Sequence, residues 1–169
     1  MPQQKSGRGT RPTTDRVREA LFSILGDIDG LEVLDLYCGT GALGLEALSR
    51  GAASVTLVDT DTGPARANVG DLGVADRVDL TRSDALAFLR RGGPAFDLVL
   101  LDPPYRLARS VAADLTEPLA TRLREGARVV VESAADAPLE LDPQVLPLRD
   151  ERRYGSTSIR IHELPGARA

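Results

Sequence analysis

The run Phe96-Asp-Leu-Val-Leu-Leu-Asp-Pro-Pro-Tyr105 restricts the possible folds of this chain more than any other stretch. It is nearly continuously apolar, rich in Val and Leu, and too short for a helix, so it reads as a strand buried on both faces. A strand of that kind needs helices above and below it, which points to an α/β architecture. Two prolines end the run; they have no amide to donate, so the backbone must leave the sheet there. Asp102, Pro103 and Tyr105 are thereby held at the carboxyl end of a central strand, where open α/β sheets place their ligands. A carboxylate, a proline carbonyl and an aromatic ring at this spacing suit a planar group bearing an NH2. Asp102 and the Pro103 carbonyl accept its two N–H bonds, and Tyr105 stacks on its face. The plainer reading is an Asp-Pro turn that only ends a strand; a second motif must decide between the two.

The rest of the chain alternates in the way such a strand requires. After a Thr-capped start in Arg11–Asp15, Val17, Ala20, Leu21, Ile24 and Leu25 recur at helical spacing, and Gly26 ends the run. Strands are expected at Glu32–Tyr37, Ser54–Val58, Val78–Arg82 and Ala127–Glu132. Helices are expected over Gly41–Arg50 and roughly 62–72, 85–91 and 107–124. A proline-rich connection, 138–147, leads to segments 148–153 and 157–163, which flank Gly155 and read as a terminal β-hairpin. The expected fold is α/β, a doubly wound, mainly parallel, Rossmann-like sheet with an antiparallel carboxyl-terminal hairpin. Residues 1–10 lack hydrophobic periodicity and read as a mobile basic arm ahead of one domain over 11–169.

Composition narrows the function classes. A length of 169 residues suffices for one domain, burying about 68–70% of its unfolded surface. With Cys38 as its only cysteine the chain has no internal disulfide and no zinc-type cluster, so no metal and a reducing, cytoplasmic setting are expected. No apolar stretch reaches membrane-spanning length, so no membrane is expected as a partner. The net charge of −4 argues against a strong general nucleic-acid binder. The charge is unevenly spread, however. Lys5, Arg8, Arg11, Arg16 and Arg18 crowd the amino terminus against Asp15 alone, and Arg149, Arg152 and Arg153 form a second group.

The second motif is Gly39-Thr-Gly-Ala-Leu-Gly44, a G-x-G-x-x-G at a strand-to-helix turn. Asp59 ends the next strand, twenty residues beyond Gly39, where a carboxylate can take both hydroxyls of a ribose. Together they indicate an adenosine-type cofactor. Asp84 ends the third strand and can accept from an adenine amine or cap the following helix; the two roles are compatible. Asp35 can face the cofactor or hold loop amides. An acidic crevice suits the amino and sulfonium groups of S-adenosylmethionine better than a dinucleotide, whose pyrophosphate seeks a helix amino terminus. Cys38 reads as a small packed side chain, Asn68 as a helix-surface residue, and His162 as structural or surface. Tyr37 belongs either to the core or to the ligand's flank.

The segments Leu34-Asp-Leu-Tyr-Cys-Gly-Thr-Gly-Ala-Leu-Gly-Leu-Glu-Ala-Leu-Ser-Arg-Gly-Ala52 and Asp102-Pro-Pro-Tyr105 resemble class I S-adenosylmethionine-dependent methyltransferases acting on exocyclic amines. Arg11-Pro-Thr-Thr-Asp-Arg-Val-Arg-Glu-Ala-Leu-Phe22 and Arg153-Tyr-Gly-Ser-Thr157 narrow the resemblance to the bacterial 16S rRNA guanine-N2 methyltransferase family. The resemblance implies a seven-stranded sheet with an antiparallel last strand, and S-adenosylmethionine as cofactor. It also implies 16S rRNA as partner, within a small ribosomal subunit or an assembly intermediate. Asp35, Gly39, Gly41, Asp59, Asp84 and Ala85 would line the cofactor site. Asp102, Pro103 and Tyr105 would hold the guanine, and Thr13, Thr14 and Arg16 would sit near the cofactor mouth. Family members usually begin with a small RNA-contacting β element that Met1–Gly9 does not resemble, so a shortened or diverged arm with weaker RNA affinity is expected. Three rivals stand beside this reading: a DNA adenine-N6 methyltransferase, an NAD-dependent oxidoreductase, and a non-enzymatic cofactor-binding RNA module. The first lacks a visible target-recognition insertion, and the second lacks an evident hydride-transfer partner.

Overall fold

The structure is a computed structural model that describes residues 12–104 and 108–167, with side chains described for 15–104 and 111–167. The arm expected over 1–10 and the stacking role expected of Tyr105 lie outside the described residues, as do the side chains of Thr13 and Thr14.

The first half of the chain forms α1 (Pro12–Leu25), β1 (Glu32–Leu36), α2 (Ala42–Ser49), β2 (Ser54–Asp59), α3 (Gly63–Leu72) and β3 (Val78–Arg82). The second half forms α4 (Ala85–Arg90), β4 (Phe96–Leu101), α5 (Ala108–Ala120), β5 (Leu123–Ala134), β6 (Leu148–Tyr154) and β7 (Thr157–Glu163). All seven strands join one sheet in the order β3-β2-β1-β4-β5-β7-β6. Pairing is parallel from β3 through β5. It turns antiparallel at β7, which carries β6 on its outer edge. The strand order reverses between β1 and β4, the switch point that opens a crevice in doubly wound folds.

Strand periodicity builds two cores. Leu34, Leu36, Val99, Leu101, Val129 and Val131 pack on one face with Phe88, Leu115 and Leu119 of α4 and α5. Val33, Val55, Leu57, Leu98, Leu100 and Val130 pack on the other with α1, α2 and α3 through Leu21, Phe22, Ala47 and Ala65. Neighbouring residues of a strand point to opposite faces, so a continuously apolar strand serves both cores.

The widest departure from the expected boundaries lies between α5 and β5, which spans Leu123–Ala134 and not Ala127–Glu132. The helix expected to run to residue 124 ends at Ala120, and β5 begins at Leu123. Between them the Arg122 side chain is drawn inward, 2% exposed. Its Nε donates to Pro94 O at 3.0 Å and its Nη1 to Phe88 O at 2.9 Å. Its guanidinium lies 4.7 Å from the Phe88 ring centre. These partners are about thirty residues away in sequence, so local periodicity carries no trace of them.

Candidate functional site

Beyond β1 the chain turns sharply. Tyr37 has φ 57°, Gly39 φ 55° and Gly41 φ 80°, all left-handed. Glycine adopts that region freely; Tyr37 is the one described non-glycine residue held there, a strain typical of functional turns. The amides of the turn are engaged within the chain. Gly39 N–H donates to Asp59 Oδ2 at 2.9 Å, Gly41 N–H to Cys38 O at 2.7 Å, and Gly44 N–H to Asp35 Oδ2 at 3.0 Å. Asn68 of α3 donates to Thr40 O at 2.9 Å, so it braces the turn instead of decorating the helix surface as expected. The reason is tertiary: α3 packs alongside the loop that follows β1.

The turn forms one wall of a cleft of about 550 Å³ at the carboxyl ends of the parallel strands. Tyr37, Gly39, Asp59, Asp84, Asp102 and Glu132 all line it, one or more from each of five successive strand ends. A cavity of about 240 Å³ adjoins it on the α1 side; it shares Tyr37, Gly39, Asp102 and Glu132 and adds Asp35 and Arg18.

Most residues singled out in the sequence meet here. Asp59, Asp84, Ala85 and Pro103 line the larger cleft, Asp35 the smaller, and Gly39 and Asp102 both. Gly41 shapes the turn as the residue preceding α2. Asp84 also caps α4, accepting Ala87 N–H at 3.1 Å through Oδ2. Arg16 is exposed on α1 and is not among the described lining residues. Arg18 lines the smaller cavity instead, paired with Asp15.

Sequence reasoning missed Glu132. Leu101 of β4 pairs in register with Val131 of β5, which sets Asp102, just past the end of β4, beside Glu132, where the parallel pairing of the two strands stops. Its only signal was its place at the carboxyl end of an expected strand; which strand lay next to β4 was not in the pattern.

The cleft is acidic, and its acidity is held under tension. Asp35 is 1% exposed, and its carboxyl is pushed up to about 8, by burial first. The Gly44 amide pulls the other way, while Asp102 and Asp59 add to the rise. The Asp102 carboxyl is raised by desolvation within the cleft walls and then by Glu132. Its open side to solvent tempers the first of these. Burial raises Glu132 as well.

Other candidates fall away. Burial, with Asp35 next, pushes the Cys38 thiol up to about 12, so it is no nucleophile at neutral pH. His162 is 2% exposed, which decides for a structural role over a surface one. Its Nδ1–H donates to Leu146 O at 2.8 Å. Among the described residues no group of three or more His, Cys, Asp or Glu is placed to hold a metal ion.

The chain is similar to known proteins. The profile of the family described as conserved hypothetical protein 95 matches residues 3–163. Ribosomal RNA small subunit methyltransferase D of Escherichia coli K12 is 36% identical over 160 residues, covering 92% of this chain and 80% of that protein. The Haemophilus influenzae protein of the same name is 35% identical over 167 residues, covering 94% and 85%. A solved structure of a conserved hypothetical protein from Streptococcus pyogenes superposes with a TM-score of 0.77 at 31% identity, over 90% of this chain and 98% of that one. The chain therefore belongs to the conserved hypothetical protein 95 family, the family of the ribosomal RNA small subunit methyltransferase D proteins.

Proposed function

We propose that this protein transfers a methyl group from S-adenosylmethionine to the exocyclic N2 amine of a guanine in 16S ribosomal RNA. The observation that carries the reading is the position of Asp102, in a nucleobase-sized cleft that also holds the glycine turn and Asp59. The relatives named as ribosomal RNA small subunit methyltransferases support the substrate class.

The residues present fit this cofactor. Asp59 ends β2 with Oδ2 accepting Gly39 N–H, which leaves it a further acceptor site for a ribose hydroxyl; Oδ1 accepts Asp61 N–H and, at 3.4 Å, the Thr60 hydroxyl, a long bond that a second ribose hydroxyl can replace. Asp84 keeps Oδ1 for an adenine amine while Oδ2 caps α4. The buried, proton-retaining Asp35 would gain a counter-charge from the cofactor's amino group. A dinucleotide fits less well: the amides of Gly39, Gly41 and Gly44 that would hold its pyrophosphate are already bonded, and the walls are anionic. That disfavours the nicotinamide reading.

Bound S-adenosylmethionine supplies an electrophilic methyl carbon. The chain's own residues prepare the amine. Its nitrogen lone pair is delocalised into the purine, and bonds from its hydrogens to Asp102 and the Pro103 carbonyl favour the pyramidal form that frees the pair. Fixed acceptors beside a nitrogen that becomes positive stabilise the transition state. A carboxylate raised toward neutrality, as Asp102 is, suits taking up the proton that the amine must shed. A paired base cannot enter the cleft, so the guanine must be looped or flipped out. The chain's net charge of −4 favours rRNA in a small ribosomal subunit or assembly intermediate, where neighbouring proteins add contacts, over naked rRNA.

The test uses small subunits from a strain lacking the orthologous activity, radiolabelled cofactor and nucleoside mass spectrometry. N2-methylguanosine is expected at one position. Label in N6-methyladenosine, or no label in rRNA at all, would overturn the proposal.

A further inference from the structure

We infer that Glu132 reads the ring N–H of the target base and so selects guanine over adenine and cytosine; this deepens the function proposed above and rests on it. The argument starts from sheet register. Leu101 and Val131 are the last partners of a parallel pair, so Asp102, just past the end of β4, neighbours Glu132 on β5, which runs on to Ala134 against β7. Adjacent strands run about 4.8 Å apart, and residues in register project to the same face. Both residues line both cavities, and Glu132 raises Asp102 electrostatically, so the two carboxylates address one space. Among the described residues neither has a cation partner.

In their ionised form, which a bound sulfonium favours, two adjacent carboxylates present acceptors only. Three nucleobases carry an exocyclic amine, and they differ at the ring nitrogen beside it. In adenine that atom is N1 and in cytosine N3, each a bare acceptor whose lone pair would face Glu132. Guanine's amine stands between N3, a bare acceptor, and N1–H, a donor that neither of the other two bases has at this position. With Asp102 accepting from N2, Glu132 stands one strand over, toward the neighbouring ring position. Guanine gives it a hydrogen bond, whereas adenine and cytosine meet it lone pair to lone pair. A site built to accept a hydrogen bond rejects analogues lacking the donor far more strongly than a shape-based pocket does.

The test replaces the methylated guanine of the rRNA substrate with 2-aminopurine, which keeps the C2 amine but has a bare N1. Wild-type protein is expected to methylate it at least about tenfold more slowly than guanine in kcat/KM. In Glu132→Gln, whose carboxamide can also donate, the guanine-to-2-aminopurine ratio is expected to fall about tenfold or more. S-adenosylhomocysteine binding by that variant verifies its fold. Equal rates on the two bases by the wild type would overturn the inference without recourse to any variant, as would an unchanged ratio in a folded Glu132→Gln. Wild-type protein that methylates no rRNA guanine would instead remove the function on which the inference stands, and the inference with it.

Discussion

Oδ2 of the Asp35 carboxyl group accepts the amide N–H of Gly44 at 3.0 Å, tying the first turn of α2 down onto β1. Parity along β1 turns Asp35 toward the face that α2 covers, and Gly44 lets the helix come close enough to meet it. A Cβ on Gly44 would stand 2.6 Å from Leu57 Cδ2, 2.8 Å from Val55 Cγ1 and 3.1 Å from Asp35 Oδ2. Gly44→Ala is therefore expected to push α2 off the sheet, at a cost of about 1–3 kcal/mol, and to weaken S-adenosylhomocysteine binding. Thermal melts and calorimetry on the variant measure both; unchanged values would show that the helix has slack.

Asp35 makes the ligand-free protein sensitive to alkali. Its carboxyl is raised from 3.8 to about 8, so the folded chain keeps a proton that the unfolded chain releases. That contribution is complete below the unfolded value and is lost as pH rises through about 8. The loss is at most about 1.4 kcal/mol per pH unit. Urea unfolding of wild type and Asp35→Asn between pH 5 and 9 should show a decline in the first that is absent from the second. Cofactor binding at pH 7 should also release a proton, visible as a dependence of the calorimetric heat on buffer ionisation enthalpy.

His162 acts in the opposite direction. Burial holds its pKa below the usual value of 6.5, and Nε2 is buried without a partner among the described residues. The folded chain therefore resists a proton that the unfolded chain accepts. Stability from the neutral ring is present above about 6.5 and drains away as pH falls through the lowered value. His162→Gln should flatten the acid limb of the unfolding profile; a wild-type slope in that variant would assign the acid sensitivity elsewhere.

Asp102→Asn keeps the side-chain volume but replaces one acceptor oxygen with a donor. Methyl transfer is expected to fall at least about a hundredfold, while S-adenosylhomocysteine affinity stays within about threefold, since the residues proposed to hold the cofactor lie mainly on other strands. Radiolabel transfer and calorimetry on the same preparation separate the two effects. Near-normal turnover would remove Asp102 from the chemistry.

Arg122 offers a test of architecture alone. Arg122→Ala would strand the Pro94 and Phe88 carbonyls it now satisfies, a loss of roughly 2–4 kcal/mol. The start of β5 would loosen with it, since Phe96 N–H donates to Arg122 O at 2.8 Å. Hydrogen exchange at Phe96 reports on that contact directly.

What the amino-acid order determined unaided is whatever depends on near neighbours. The apolar run of β4, the diproline stop after Asp102, the glycine turn beyond β1 and the cap open to Asp84 are each set within a few residues, and all four are legible in the sequence. Tertiary structure alone decided the rest. The order β3-β2-β1-β4-β5-β7-β6 brought Glu132 to Asp102 from thirty residues away. Packing of α1 put Arg18, not Arg16, at the smaller cavity, and α3 turned Asn68 inward to the loop. The reason is physical: periodicity and capping act over the reach of a turn or a pleat, whereas the neighbour that a strand end acquires is chosen by which apolar faces close together across the whole sheet.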